Sequence, residues 1–171
     1  MRVISGKYKG KFLEGFNIDG TRPTMDRVKE SLFGIIQNKL ENSICLDLFA
    51  GSGSLGIEAL SNGAKKCYFV DNSKEILKIL ESNLKNIENS ILIKDDYNNA
   101  IRKIKKVDIV FLDPPYSKNL ITPAIKQILE NDILNDGALL ICEYENEEIR
   151  CDLEIIKEKK YGSKNIRIYK K

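Results

Sequence analysis

Residues 47–56 read Asp-Leu-Phe-Ala-Gly-Ser-Gly-Ser-Leu-Gly, and the apolar run 44–49 leads into them. A buried strand that breaks into closely spaced glycines and then a helix opens a βαβ unit. Gly51, Gly53 and Gly56 fit G-x-G-x-x-G, and Asp71 stands about 20 residues beyond Gly51, where that pattern wants an acid. The pattern continues outward. Apolar strands at 67–70, 91–93, 107–112 and 138–142 alternate with helical stretches at 55–60, 73–87, 97–104 and 121–129. Asn62-Gly63 stops the first of these helices and Ser73 caps the second. Continuous apolar strands between helices predict a mostly parallel sheet covered on both faces, an α/β fold whose ligand binds at the strands' carboxyl ends. Residues 153–156 and 166–169 alternate around Tyr161-Gly162-Ser163 and predict a closing antiparallel pair. Upstream, Met25, Val28, Leu32, Ile35 and Ile36 mark one face of a helix that Thr24 can cap. Residues 1–20 predict a basic β-hairpin arm around Gly6 and Gly10, and residues 21–171 the main domain.

Composition narrows the chemistry. With 171 residues, 42% hydrophobic and 31% charged, the chain can bury a full core. No apolar run reaches the ~18 residues of a membrane span. The first residues lack the apolar stretch of a secretory signal, so a cytoplasmic protein that does not meet a membrane is expected. There is no His, which removes histidine bases, Ser-His and Cys-His pairs and most metal sites; no metal is expected. Cys45, Cys67, Cys142 and Cys151 form no C-x-x-C pair and read as small hydrophobes kept reduced. The net charge is +3, but the first eleven residues hold Arg2, Lys7, Lys9 and Lys11 and no acid. A basic head on a near-neutral body suits a polyanion, with a solvated hairpin face as the plainer reading.

The glycine loop fits two adenosine-bearing cofactors, a nicotinamide dinucleotide and S-adenosylmethionine. Asp47, four residues ahead of Gly51, separates them. A carboxylate there repels a diphosphate and suits an ammonium and a sulfonium; the plainer reading makes Asp47 a helix-capping acid. Asp96, after the third strand, can accept from the adenine amine with Tyr97 beside the ring, while Asp95 reads as solvated. The fourth strand ends in Asp113-Pro114-Pro115-Tyr116. Two prolines fix the backbone and remove two donors, so acceptors stand beside an aromatic face. That equipment holds a planar base by its exocyclic amine. The alternative is a turn with a capping Asp.

The Asp-Pro-Pro-Tyr and glycine motifs together resemble the amino-group methyltransferases of nucleic acids. MRVISGKYKGKFLEG, TRPTMDRVKESLFGII, DLFAGSGSLGIEALSNGA and FLDPPY resemble the RsmD family over nearly the whole chain, and Glu143 fits its pattern. The resemblance implies a Rossmann-like methyltransferase fold, a seven-stranded sheet with its last strand antiparallel. It implies methyl transfer from S-adenosylmethionine to the 2-amino group of a guanine in the helix-31 loop of 16S rRNA, within the 30S particle. It also implies that Asp47, Gly51, Gly53, Asp71, Asp96 and Tyr97 line the cofactor, that Asp113, Pro114 and Tyr116 hold the guanine, and that Lys7, Lys9, Lys11 and Arg22 meet RNA. A monomer that uses no metal is expected. Methylation of adenine or of another RNA is the alternative within this chemistry. An NAD-dependent oxidoreductase is the more remote one.

Overall fold

The strands form where sequence places apolar residues on both sides of the backbone. β1 (Ile44–Asp47), β2 (Lys66–Asp71) and β4 (Val107–Leu112) are almost wholly buried. The structure, a computed structural model, describes residues 1–15, 22–115 and 118–171, and side chains in the first helix from residue 26 on. With β3 (Ser90–Lys94), β5 (Leu134–Tyr144), β6 (Glu154–Tyr161) and β7 (Lys164–Lys170) they make one seven-stranded sheet. Its order is β3-β2-β1-β4-β5-β7-β6. The first five strands are parallel, and β7 runs antiparallel between β5 and β6. The antiparallel close expected from the tail is therefore present, with the last strand inserted inside its partner.

Among the described residues five α-helices cover the sheet: α1 (Arg22–Leu40), α2 (Ser54–Ser61), α3 (Lys74–Leu84), α4 (Tyr97–Lys103) and α5 (Ile121–Glu130). Alternate strand residues divide the core. Cys45, Phe69, Ile109 and Phe111 pack under α1, α2 and α3, whereas Leu46, Val70, Val110 and Leu112 pack under α4 and α5. Each such side chain taken fully from water contributes about 1.5–3 kcal/mol. Phe33 of α1 stacks on Phe111 with ring centroids 5.9 Å apart. Cys45, Cys67 and Cys142 are buried free thiols, and Cys151 is a half-buried one.

Two expectations are corrected. Thr24 is not the cap of α1, which begins at Arg22. Pro23 stands in the first turn, where its missing N–H leaves no intrahelical bond unmade. β5 begins at Leu134, upstream of the expected strand, because Gly137 at φ 76° bulges through the polar stretch that reads as a turn. The head pairs back on itself in the antiparallel sense. Its ladder is the single bridge Arg2↔Phe12, and Val3 and Leu13 are 1% and 2% exposed in the core under α1. Residues 16–20 of the expected arm lie outside the described residues.

Candidate active site at the carboxyl edge of the sheet

The strand order reverses between β1 and β4, and their carboxyl ends carry the two motifs. A parallel sheet opens a crevice at that place. The three glycines there have different tasks. A Cβ on Gly51 (φ 55°) would meet nothing nearer than Phe49 O at 3.9 Å, so its backbone is open to a ligand. Gly53, at φ 79°, turns the chain into α2, and Leu80 leaves no room for a side chain. Gly56 lets α2 lie on β2, since a Cβ there would overlap the Phe69 ring and reach 2.8 Å from Cys67 Sγ.

Two acids hold this loop. Asp71, half-buried, accepts from Gly51 N at 3.1 Å through Oδ2 and from Ser73 N at 3.0 Å through Oδ1. Each oxygen keeps a second lone pair for a ligand hydroxyl. Asp47 is 1% exposed, and its Oδ2 accepts from Gly56 N at 2.9 Å. The structure places it beneath the loop, as the cap that Gly53 cannot supply. Burial pushes its carboxyl up to about 7.

Asp96 caps α4, its Oδ1 accepting from Asn98 N at 2.9 Å and Asn98 Nδ2 at 3.0 Å. Tyr97 packs against Phe49, ring centroids 5.4 Å apart and tilted by 50°. This half-buried pair stands at the mouth of the crevice, and Phe49 is a wall residue that the glycine pattern alone did not single out. Asp95 is not simply solvated. It accepts from Asp96 N, Asn99 Nδ2 and, at 2.5 Å, Lys103 Nζ, and the lysine holds its carboxyl below the ordinary range.

On the β4 side Asp113 is half-buried, Pro114 buried and Pro115 exposed; Tyr116 lies outside the described residues. Leu112 pairs with Cys142, so Asp113, the first residue past β4, stands next to Glu143 of β5. Lys164 Nζ lies 2.5 Å from Glu143 Oε1, with side chains only 21% and 13% exposed. Burial works against the Lys164 charge, but Glu143, with Asp113 and Glu145 behind it, prevails and raises its pKa. The DPP loop thus stands in a mostly covered cluster of two carboxylates and one ammonium.

The head is fastened to the glycine loop. Buried Glu58 of α2 accepts from Ile4 N, Ser5 N and Ser5 Oγ, and pairs with Lys29 Nζ at 3.1 Å. Lys29 also donates to Arg2 O at 2.7 Å and Ser54 Oγ at 3.0 Å. Asn83 exchanges backbone bonds with Glu14 and donates to Ser52 O at 2.9 Å. The expected RNA cations separate. Lys7 pairs with Glu88 at 2.7 Å and Lys11 donates to Lys85 O, whereas Lys9 is exposed and lines a groove with Arg2, Asp26, Arg27 and Glu30. The side chain of Arg22 lies outside the described residues. No group of three or more metal-ligating side chains occurs among the described residues, and none of their helices is long and apolar enough to cross a membrane.

The family model described as conserved hypothetical protein 95 matches residues 1–170. The chain belongs to that family, the RsmD family. Among its relatives, Ribosomal RNA small subunit methyltransferase D of Haemophilus influenzae is 38% identical and covers 99% of this chain and 93% of its own length. The protein of the same name from Escherichia coli K12 is 32% identical, with 100% and 90% covered. The solved structure of the candidate methyltransferase yhhF from Escherichia coli superposes with a TM-score of 0.88 at 30% identity, covering 100% of this chain and 97% of that one. The RsmD resemblance and the methyltransferase fold expected from sequence are thereby borne out. Within this RsmD-family chain, Lys29, Glu58, Asn83 and Lys164 are the residues fastening the site's loops that pattern reading missed. Their signal is a buried polar group, and burial needs the tertiary fold.

Proposed function

We propose that this RsmD-family methyltransferase moves a methyl group from S-adenosylmethionine to the 2-amino group of a guanine in 16S rRNA. The substrate is the helix-31 loop in the 30S particle, and the protein works as a monomer. The observation that carries this reading is the meeting of the glycine loop and the Asp113-Pro114-Pro115 loop at the ends of β1 and β4.

The residues fit that cofactor better than a dinucleotide. A pyrophosphate needs free N–H groups at the helix start. Here Gly56 N is taken by Asp47 and Gly51 N by Asp71. Asp71 and the open face of Gly51 suit a ribose, and Asp96 with the Phe49–Tyr97 rings suits an adenine edge and face. S-adenosylmethionine supplies an electrophilic methyl on a sulfonium. The chain's own residues act on the acceptor. Asp113 and the Pro114 carbonyl accept hydrogen bonds from the base amine, favouring a pyramidal nitrogen with a localised lone pair. Tyr116 stacks the ring, and Lys164 with Glu143 keeps the Asp113 loop in place. The nitrogen would bond to the methyl carbon as the methyl's bond to sulfur breaks, the bonding pair staying on sulfur, and the proton it sheds would pass to water. Holding the two partners in line supplies much of the rate. A loop nucleotide reaches the pocket at smaller unstacking cost than a paired one.

Labelled methyl transfer to unmodified 30S particles, followed by mass mapping of the rRNA, tests the reading. Label in a guanine 2-amino group of 16S rRNA is expected. Label in an adenine would move the activity to the sister chemistry, and calorimetry finding NAD tighter than S-adenosylmethionine would overturn the cofactor.

A further inference from the structure

Phe12 is the most exposed large hydrophobic side chain among the described residues, at 76%. Its neighbours explain the orientation but not the residue type. In the bridge Arg2↔Phe12 the flanking Val3 and Leu13 point into the core, so Phe12 and Arg2 are sent together to the solvent face. Val3 N donates to Lys11 O at 3.0 Å and Leu13 N to Met1 O at 3.0 Å, one bond on each side. The pair is therefore held on a fixed backbone. That backbone is joined to the lip of the glycine loop through Lys29 and Asn83, which reach Ser54 and Ser52. An aromatic ring is thus displayed, in a head with four positive charges and no acid among its first eleven residues, at a set distance from the site of methyl transfer.

Ile155, Ile156, Ile35 and Ile91 are exposed as well, but they are aliphatic and carry no π face. A rigid aromatic face beside an arginine matches one partner chemistry well. Unpaired bases stack on such rings without regard to sequence, and the guanidinium meets the adjoining phosphate. We propose that Phe12 and Arg2 form a stacking platform for an unpaired nucleotide of the RNA next to the target base. This inference rests on the RNA-substrate reading above. Lys9, exposed on the same head, extends the phosphate track.

Fluorescence anisotropy with the full chain and a short labelled single-stranded oligoribonucleotide of mixed sequence tests it, with a duplex of the same sequence in parallel. Phe12→Ala is expected to weaken single-strand binding by about 5- to 150-fold, the worth of one stacked base. Its salt dependence should not change. Phe12→Trp should restore binding, and Phe12→Leu, with apolar area but no π face, should not. Arg2→Gln should flatten the salt slope by about 0.7. Cofactor affinity and the unfolding midpoint should stay unchanged in Phe12→Ala, because this side chain supports no packing. Undiminished single-strand binding by Phe12→Ala overturns the inference, as does an equal loss on duplex and single strand. Loss of 30S association with oligonucleotide binding intact also overturns it and gives Phe12 to a protein contact. A wild-type protein that binds neither RNA brings down the RNA-substrate reading itself.

Discussion

Asp47→Asn separates a capping acid from a cofactor-facing one. Burial raises the Asp47 carboxyl from its ordinary 3.8 to about 7. For an acid, a raised folded-state value means that the folded protein holds its proton more tightly than the unfolded chain. The contribution is fully present below about pH 4 and is lost as pH rises to about 7. At about 1.36 kcal/mol for each tenfold change, that loss has a ceiling of about 4 kcal/mol. Asparagine keeps an oxygen for Gly56 N and does not titrate. Its amide N–H groups carry a burial cost of about 1–3 kcal/mol, but this cost is the same at every pH. The stability difference between the Asp47→Asn protein and wild type should therefore move in favour of the variant by up to about 4 kcal/mol between about pH 4 and pH 8. Asp95, Asp132 and Glu158 are held below the ordinary range by lysine, arginine and tyrosine partners, and they cancel between the two proteins. Urea unfolding across this range, with calorimetry of S-adenosylmethionine at about pH 8, reads both sides of the argument. Parallel pH profiles together with a large loss of cofactor affinity would refute it, because Asp47 would then be an ionised ligand contact.

Asp71→Ala should weaken S-adenosylmethionine binding by about 1.5–3 kcal/mol in calorimetry, the worth of hydrogen bonds to a charged group, since it removes a ribose acceptor and frees Gly51 N. Gly56→Ala should cost about 1–3 kcal/mol in urea unfolding, because the added methyl drives α2 off Phe69 and Cys67; the added variant Phe69→Leu should recover part of this. Lys9→Gln should flatten the salt dependence of rRNA-particle binding by about 0.7, and Lys7→Gln by less, because Glu88 already holds that ammonium. Asp113→Asn should retain substantial methyl transfer in single-turnover assays while Asp113→Ala loses about 100-fold, or about 2.7 kcal/mol; equal loss in both would make Asp113 an obligatory base.

Much of this architecture was legible because its signals are local. The strand pattern needs only apolar runs of the right length, and the glycine motif needs only its spacing. What could not be read depends on contacts far apart in the chain. Glu58 receives the head amides across 54 residues, and Lys164 reaches Glu143 across 21. The order β5-β7-β6 was equally hidden, since alternating tail strands carry no mark of which one pairs with the parallel sheet. The seating of the head was hidden for a related reason. Its lysines read as an arm, and Val3 and Leu13, which fix that arm to the core, carry no mark of where they dock. Asp47 was the hardest case, because the sequence allowed both a ligand contact and a cap. Its carboxylate lies deep under the loop, where it caps α2, and Asp47→Asn tells whether it also meets a ligand.

That depth bears on which ligand the crevice prefers. The positive end of a helix favours an anion, and in a parallel sheet several helices begin at the strands' carboxyl ends. In this chain the start of α2 is met by Asp47 and the start of α4 by Asp96, each accepting from an N–H of the first turn. Asp71 takes the loop amide that remains nearest. The Gly51, Gly56 and Asn98 amides that would welcome a phosphate are therefore already bonded, and the Asp71 and Asp96 carboxylates leave the rim negative. A ligand carrying an ammonium and a sulfonium gains from that surplus, whereas a diphosphate would have to displace it. On the opposite wall the balance is different. The Lys164 ammonium lies among Glu143, Asp113 and Glu145, so the side of the crevice that carries the DPP loop is held by attraction between fixed charges. On the proposed function the two walls of one crevice thus divide the work, one selecting a cationic donor and the other holding an acceptor loop beside it.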